Sequence, residues 1–335
     1  MVRHTQITHP VAQQTSRRQW LRGGCAALGS LMMTAGGCVP TGKNAEPELV
    51  WGRRGFSDGR FLKPRAITID ASDQLYIVDT TGRIQVFDQQ GQLLRVWTTP
   101  QTANGRPTGM AIKRPQRVGE KEKLLVADTH YYRMLVYDLD GKLLEDEQIG
   151  GTAGRGPGEF AFVTDAVCDQ HGCYYVGEYG DSDRIQKFDP DGKFITQWGG
   201  TGREPEKFVR PQSLVVDGQT LWVVDACNHR IQRFDIGQPT PELIDIWGSE
   251  GIGLGEFFYP YDLALASDGS VIVCEYGNQR LQRFDPDGTP LAIWGGPGFE
   301  PGQLYQPWGV VVDSRDRVHV LDSNNHRVQR LWLPA

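Results

Sequence analysis

The chain has 335 residues, of which 41 are glycine, 20 are proline and 39% are hydrophobic. This composition excludes a disordered chain and supplies enough apolar side chains for a buried core. The formal net charge is −6, and it is more negative without the first 37 residues, which hold four arginines and no acid. A nucleic-acid partner is not expected, because it requires a basic surface.

Residues 1–37 have the pattern of an export signal. The pair Arg17–Arg18 stands ahead of an apolar run over 25–35 that is too short to span a bilayer, and this order resembles a twin-arginine signal. Small residues before Cys38 resemble a lipoprotein processing site. We therefore expect an exported protein of the periplasm or cell envelope, attached to the membrane only by a lipid on Cys38. Plain cleavage near Cys38 is the alternative, and residues 38–47 form a linker in either case.

From residue 48 onward the sequence repeats itself every 47–50 residues. In each of six units an acid ends an apolar segment and an arginine follows four to six residues later. The acids are Asp79, Asp128, Glu178, Asp225, Glu275 and Asp322, and the arginines are Arg83, Arg133, Arg184, Arg230, Arg280 and Arg327. Because this pair recurs in every unit, we expect it to connect strands within the fold.

Each unit contains four short apolar segments separated by turn residues. In the fifth unit the segments are YDLALA, SVIVCE, RLQRFD and PLAIWGG, separated by SDG, YGNQ and PDG. Four antiparallel strands at this spacing predict an all-β, six-bladed β-propeller over residues 48–335. The sixth unit lacks its fourth strand, and ELVWGRRG, which begins at Glu48, matches the missing segment. The N-terminal strand is therefore predicted to close the last blade, since an open ring leaves an unpaired edge.

The glycines of WGSEGIGLGEF, which begins at Trp247, have the spacing of a phosphate-binding loop. Such a loop must lead into a helix, whereas here a proline and an alternating strand pattern follow. Four other units carry the same glycine-rich segment. We therefore predict that it connects the outer strand of one blade to the inner strand of the next.

The segments RPQSLVVD…LWVVDACNHRIQRFD and QPWGVVVDSRDRVHVLDSNNHRVQRL resemble the NHL repeat. The resemblance covers roughly residues 48–335 and implies a six-bladed propeller. Propellers of this kind serve as protein-binding platforms, RNA-binding discs and enzymes, so the resemblance leaves the function open. The amidating lyase of peptide-hormone maturation is similar to this family and places a zinc-binding histidine after a blade proline. Gln212 stands at that position in PQSL, so a zinc lyase is not expected.

A ligand site is predicted where the innermost strands begin, at the mouth of the central channel. The residues that follow the blade-opening proline, or its counterpart, are Arg65, Thr108, Thr164, Gln212, Tyr261 and Trp308. One residue further, the third and fifth units carry Asp165 and Asp262. The same two units end their second strand in EYG, which contains Glu178–Tyr179 and Glu275–Tyr276. We expect these carboxylates and aromatic rings to gather on one face.

The sequence favours a monomeric binding module over an enzyme and leaves both open. The module would bind a peptide, glycan or protein partner at the channel mouth and would require no cofactor. The candidate ligand-binding residues are Arg65, Asp165, Glu178, Tyr179, Gln212, Tyr261, Asp262, Glu275, Tyr276 and Trp308. The alternative is a metal-dependent hydrolase or lyase with a divalent cation, such as calcium, on Asp165 and Asp262.

Overall fold

The computed structural model describes residues 46–333 as six four-stranded antiparallel sheets that form a six-bladed β-propeller. The predicted signal segment and Cys38 lie outside these residues. In chain order the first twelve strands are β1 (Leu49–Trp51), β2 (Pro64–Ile69), β3 (Leu75–Asp79), β4 (Arg83–Phe87), β5 (Leu93–Thr98), β6 (Gly109–Lys113), β7 (Lys123–Asp128), β8 (Arg133–Asp138), β9 (Ile149–Gly150), β10 (Phe162–Cys168), β11 (Tyr174–Tyr179) and β12 (Arg184–Phe188). The remaining strands are β13 (Phe194–Gly199), β14 (Pro211–Asp217), β15 (Thr220–Asp225), β16 (Arg230–Asp235), β17 (Glu242–Trp247), β18 (Pro260–Leu265), β19 (Val271–Glu275), β20 (Arg280–Phe284), β21 (Pro290–Gly295), β22 (Gly309–Val312), β23 (Val318–Asp322) and β24 (Arg327–Leu331).

Helical structure in residues 46–333 is confined to four single turns of 3₁₀ helix. They are Thr129–Tyr131, Glu145–Glu147, Ala226–Asn228 and Ser323–Asn325. No helix in this part of the chain is long and apolar enough to cross a membrane.

The strands of a blade are joined by hairpins whose turns are held by aspartate side chains. In the turn after β4, Asp88 Oδ1 accepts hydrogen bonds from the backbone N–H groups of Gln90 and Gln92, at 2.8 and 2.9 Å. Gly91 has a φ of 77°, which glycine adopts without steric cost. The turn chemistry in the sequence therefore marks the hairpins correctly.

Strand β1 closes the ring, as predicted. It pairs antiparallel with β24, with Leu49 opposite Arg330 and Trp51 opposite Val328. The sixth sheet consequently has the order β1-β24-β23-β22. Across the seam, the Lys63 N–H donates to His326 Nδ1 at 3.0 Å, so loop atoms of the last and first blades also meet.

Apolar side chains are buried between neighbouring blades, in six clusters that correspond to the six blade interfaces. At the seam, the Trp51 ring lies 5.8 Å from Phe61 and 4.7 Å from Phe87, measured between ring centroids. Ile67 and Val311 belong to the same cluster. The closing strand therefore completes a hydrophobic interface as well as a sheet.

The glycine-rich segments are the connections between blades, as the sequence predicts. Each runs from an outer strand to the next inner strand and forms one parallel bridge, such as Glu250 with Phe257. Gly248 has a φ of 94°, and a Cβ on it would lie 2.4 Å from the Phe257 ring. Any other residue at this position would be strained and would displace that ring, so the glycine has a structural role.

The repeated acid and arginine hold these connections, which confirms the structural role expected of them. All six acids are 0% exposed, and each forms an ion pair with the arginine of its own unit. In the fourth blade, Asp225 accepts hydrogen bonds from Arg230 Nε and the Val209 N–H, both at 2.8 Å. Arg230 in turn donates to three carbonyl oxygens of the preceding connection, so sheet and linker form one network.

Replacing Trp51 by alanine should destabilise the whole ring, because the seam between the last and first blades loses its central ring. We expect the free energy of unfolding to fall by about 2–3 kcal/mol, measured by urea denaturation. Leu94→Ala, on an exposed face of β5, is the matched control and should change it by less than about 0.5 kcal/mol. Equal losses in the two variants would contradict closure through β1.

Candidate functional site

The inner strands of the six blades surround a central cavity of about 840 Å³. Arg65, Gln212, Tyr261 and Trp308 line it where the inner strands begin, and we call this end the channel mouth. The cavity extends along the strands toward Arg114, Asp217 and Ser267 at the other end. A space of this size is suited to a small molecule or to one end of a larger ligand.

A β-bulge at the start of the inner strand explains how consecutive residues reach the cavity. The pairing register shifts between Pro64 and Ala66, and the same shift occurs in the third, fourth and fifth blades. In a regular strand Arg65 and Ala66 would face opposite sides, whereas here both line the cavity. Thr164 differs from its counterparts, because its fully buried hydroxyl donates to the carbonyl of Pro211 and lies outside the lining.

Tyr261 and Trp308 line the mouth at the fifth and sixth blades, and Tyr276, which lies outside the cavity lining, contacts both rings. Tyr261 stacks on Tyr276 with ring centroids 4.5 Å apart and planes at 20°. Trp308 lies edge-on to both tyrosines, at 5.0 and 5.7 Å. The structure thus brings together three of the residues that the sequence marks, and they form one contiguous aromatic surface.

Two arginine side chains contact this aromatic surface. The Arg65 guanidinium lies 5.3 Å from the centre of the Trp308 ring. Arg210 lies 5.2 Å from the Tyr261 ring and 4.9 Å from the Tyr179 ring, and its Nε donates to Gln212 Oε1 at 2.7 Å. Cation–π contacts of this kind orient a guanidinium without neutralising its charge.

The sequence analysis does not single out Arg210 or Arg106. Both precede the proline that opens a blade, as Lys63 does in the first blade, and three basic residues at this one position are the signal that could have revealed them. Arg210 has a left-handed backbone with φ of 63°, held by its N–H donating to Asp183 Oδ1 at 2.9 Å. That conformation is uncommon for residues other than glycine.

Asp165 and Asp262 lie on the channel wall below the mouth, where they join neighbouring inner strands. Asp165 Oδ2 accepts a hydrogen bond from the Leu214 N–H at 3.0 Å. Asp262 accepts from the Ser213 hydroxyl at 2.7 Å and from the Val310 N–H at 2.9 Å. These bonds tie the third blade to the fourth, and the fifth blade to the fourth and the sixth.

Burial dominates the titration of these two carboxyl groups. It raises the pKa of Asp165 well above its ordinary value, and the nearby charge of Asp262 raises that pKa further. Burial also raises the pKa of Asp262 to about 7, although three hydrogen-bond donors oppose the effect. The pair therefore contributes less negative charge to the cavity at neutral pH than two free aspartates would.

Glu178 and Glu275 do not join the other predicted residues at the mouth. Both are fully buried in the ion pairs with Arg184 and Arg280 and lie outside the cavity lining. The four carboxylates therefore do not converge, and residues 46–333 contain no cluster of three or more His, Cys, Asp or Glu side chains that could hold a metal ion. Calcium on Asp165 and Asp262 stays a prediction.

Comparison with known proteins agrees with this repeat architecture. A family model of the NHL repeat matches residues 208–234 and 304–331. These two segments are NHL repeats. NHL repeat-containing protein 3 of Mus musculus is 26% identical over 195 residues, and its Homo sapiens counterpart is 26% identical over 200 residues. The matches cover 54% and 55% of this chain and 54% of each relative, so the chain spans about half the length of the curated relatives it matches.

Solved structures share the fold of this propeller. A streptogramin B lyase superimposes with a TM-score of 0.56 at 13% identity, covering 83% of this chain and 95% of the lyase. A Bacteroides caccae protein of unknown function superimposes with a TM-score of 0.51 at 14% identity, covering 69% and 80%. At these identities the likeness concerns the fold alone. NHL propellers are commonly protein-interaction modules.

The buried pair makes stability depend on pH through Asp262. Its pKa is about 7 in the folded protein against an ordinary 3.8, so the folded state retains a proton that the unfolded chain releases. The free energy of unfolding should therefore fall as pH rises from about 4 to about 7. Asp262→Asn cannot ionise, and it should remove about 2–3 kcal/mol of the fall between pH 5 and pH 8, measured by urea denaturation at those two pH values. Parallel pH profiles for the two proteins would refute this assignment.

Proposed function

We propose that this NHL propeller is a binding module that accepts part of a peptide, glycan or protein partner at the channel mouth. The proposal rests on one observation: the residues at the channel mouth do not follow the repeat. The ion pairs and the connections recur around the ring, whereas Arg65, Gln212, Tyr261 and Trp308 differ from blade to blade. Residues that are needed only for the fold would be expected to recur with it.

The composition of the mouth supports binding. Tryptophan, tyrosine and arginine are the residue types that contribute most to binding energy at interfaces. Here they surround a cavity whose size is typical of ligand sites. The aromatic side chains also hold one another in place through ring contacts, so little conformational entropy would be lost on binding.

The described residues offer less support for the hydrolase or lyase. Asp165 and Asp262 already accept hydrogen bonds from backbone N–H groups and from Ser213, which leaves their oxygens engaged. Glu178 and Glu275, which would have completed a carboxylate site, are committed to arginines of the sheet. No observation in residues 46–333 favours this second function over binding.

Alanine substitution at the mouth tests the proposal. A partner would first be selected on peptide and glycan arrays, and Trp308→Ala and Tyr261→Ala would then be measured by calorimetric titration. Each should weaken binding by on the order of 10-fold or more, because each removes part of the aromatic wall.

Trp332→Ala is the matched control, since Trp332 is 48% exposed and lies outside the cavity lining. It should bind as the wild type does, and melting temperatures would show that all three variants fold. A partner that binds both mouth variants as tightly as the wild type would place the site elsewhere.

We also propose that the protein acts in the cell envelope, anchored through Cys38. The support is the order of features in the sequence: an arginine pair, a short apolar run and small residues before a cysteine. Cys38→Ser should move the protein from the membrane fraction to the soluble fraction of cells, while Cys173→Ser, in the propeller, should not. Finding the wild type itself in the soluble fraction would disprove the lipid anchor.

A further inference from the structure

Three arginines near the channel mouth have no counter-charge among the described residues. Arg65 lines the cavity, whereas Arg106 and Arg210 lie outside its lining and act on Arg65 through their charges. Arg65, Arg106 and Arg210 form no ion pair with any residue in 46–333, whereas the six repeated arginines of the blades are all paired. Arg106 donates two hydrogen bonds to backbone carbonyl oxygens. Its Nε donates to Thr80, and its Nη1 donates to the preceding residue, Gly105. Arg210 donates through Nε to Gln212.

Arg65 is the least satisfied member of the group. It is half-buried and lines the cavity, yet within residues 46–333 it makes no hydrogen bond and no ion pair, and its guanidinium lies over the Trp308 ring. Burial lowers the pKa of Arg65, and the charges of Arg106 and Arg210 lower it further. A half-buried guanidinium whose five N–H donors have no acceptor in the described residues, and which lies near like charges, is disfavoured in the free protein.

Asp165 and Asp262, on the channel wall below the mouth, do not balance the positive charge of the three arginines. Both carboxyl groups on the channel wall accept hydrogen bonds from inner strands, and burial raises the pKa of each. The aromatic wall adds a second feature, because Arg65 lies over Trp308 and Arg210 lies over Tyr261, whose rings are in contact at 5.0 Å. The two guanidinium groups therefore border one apolar surface.

We propose that the channel mouth recognises the C-terminal carboxylate of a peptide or protein partner, with Arg65 as its principal ligand and Arg106 and Arg210 in support. This inference rests on the proposed binding function and specifies its partner. A carboxylate matches the planar fork of an arginine. The last side chain of the partner would lie against Tyr261 and Trp308, which line the cavity. The end of a peptide chain can enter the channel by itself, whereas an internal segment would need room for the chain both to enter and to leave. NHL propellers commonly mediate protein interactions, which favours a peptide over an acidic sugar.

The experiment uses the whole propeller and an array of hexapeptides attached by their N-termini, so that every C-terminus is free. The best binders are remade as the free acid and as the C-terminal amide and titrated by calorimetry. We expect the acid to bind on the order of 10-fold or more tightly than the amide. Arg65→Met should abolish that difference, and Arg65→Lys, which keeps the charge but not the fork, should retain part of it.

Arg203→Ala is the control for general loss of positive charge, because Arg203 is exposed on a blade connection and outside the cavity lining. It should leave the preference for the acid unchanged. The melting temperature provides a second readout. Arg65→Met should melt at the same temperature as the unliganded wild type or higher, since it removes a half-buried charge without a partner. A large fall would mean that Arg65 is structural, and it would overturn the proposal.

Other outcomes separate this inference from the binding function on which it rests. Equal binding of acid and amide that Trp308→Ala weakens would retain the mouth as a site and overturn carboxylate recognition. Binding of glucuronate or inorganic phosphate through Arg65, with no peptide bound, would assign the arginines to another anion and also overturn it. A peptide that binds Trp308→Ala and Arg65→Met as well as the wild type would overturn both proposals.

Discussion

The pairing of β1 with β24 is the constraint on which the rest of this structure depends. Without it, β24 would have an unpaired edge and the cluster that contains Trp51, Phe61 and Phe87 would be open to water. The pairing joins segments that are some 280 residues apart in sequence, so the ring is complete only when both ends of the propeller are in place. Only a closed ring brings six inner strands around one cavity, and the channel mouth exists because of that arrangement.

Residues that recur in every blade and residues that differ between blades have different roles in this protein. The buried acids, their arginines and the glycine-rich connections recur because every blade packs against its neighbours in the same way. At the mouth, by contrast, the blades contribute an arginine, a glutamine, a tyrosine and a tryptophan to one cavity. Without a bound partner, the Arg65 charge lowers the stability of the folded protein. Residues that lower stability are typical of functional sites.

The sequence predicts the fold almost completely, whereas it predicts the site in part. Strand positions, blade number and closure follow from local signals, namely turn residues, alternation and a fourth strand missing from the last unit. Tyr261 and Trp308 were found because they follow a blade proline. Glu178 and Glu275 belong to the six repeated acids, and their second assignment, to the mouth, is wrong because the EYG motif does not show that their carboxylates are buried in the ion pairs of the repeat. The role of Arg210 depends on a left-handed backbone and on contacts between blades, which alternation does not encode.

Hydrogen–deuterium exchange of the intact protein tests the closed ring most directly, because it needs no substitution. The Glu48 N–H donates to the Arg330 carbonyl oxygen at 2.8 Å, so its exchange should be slowed by orders of magnitude relative to an unstructured chain, although β1 is an edge strand and only alternate amides of it can bond β24. Exchange of the Glu48 amide at the rate of an unstructured chain, beside a protected β24, would contradict closure. The cavity and the arrangement of the arginines at its mouth would then have to be derived anew.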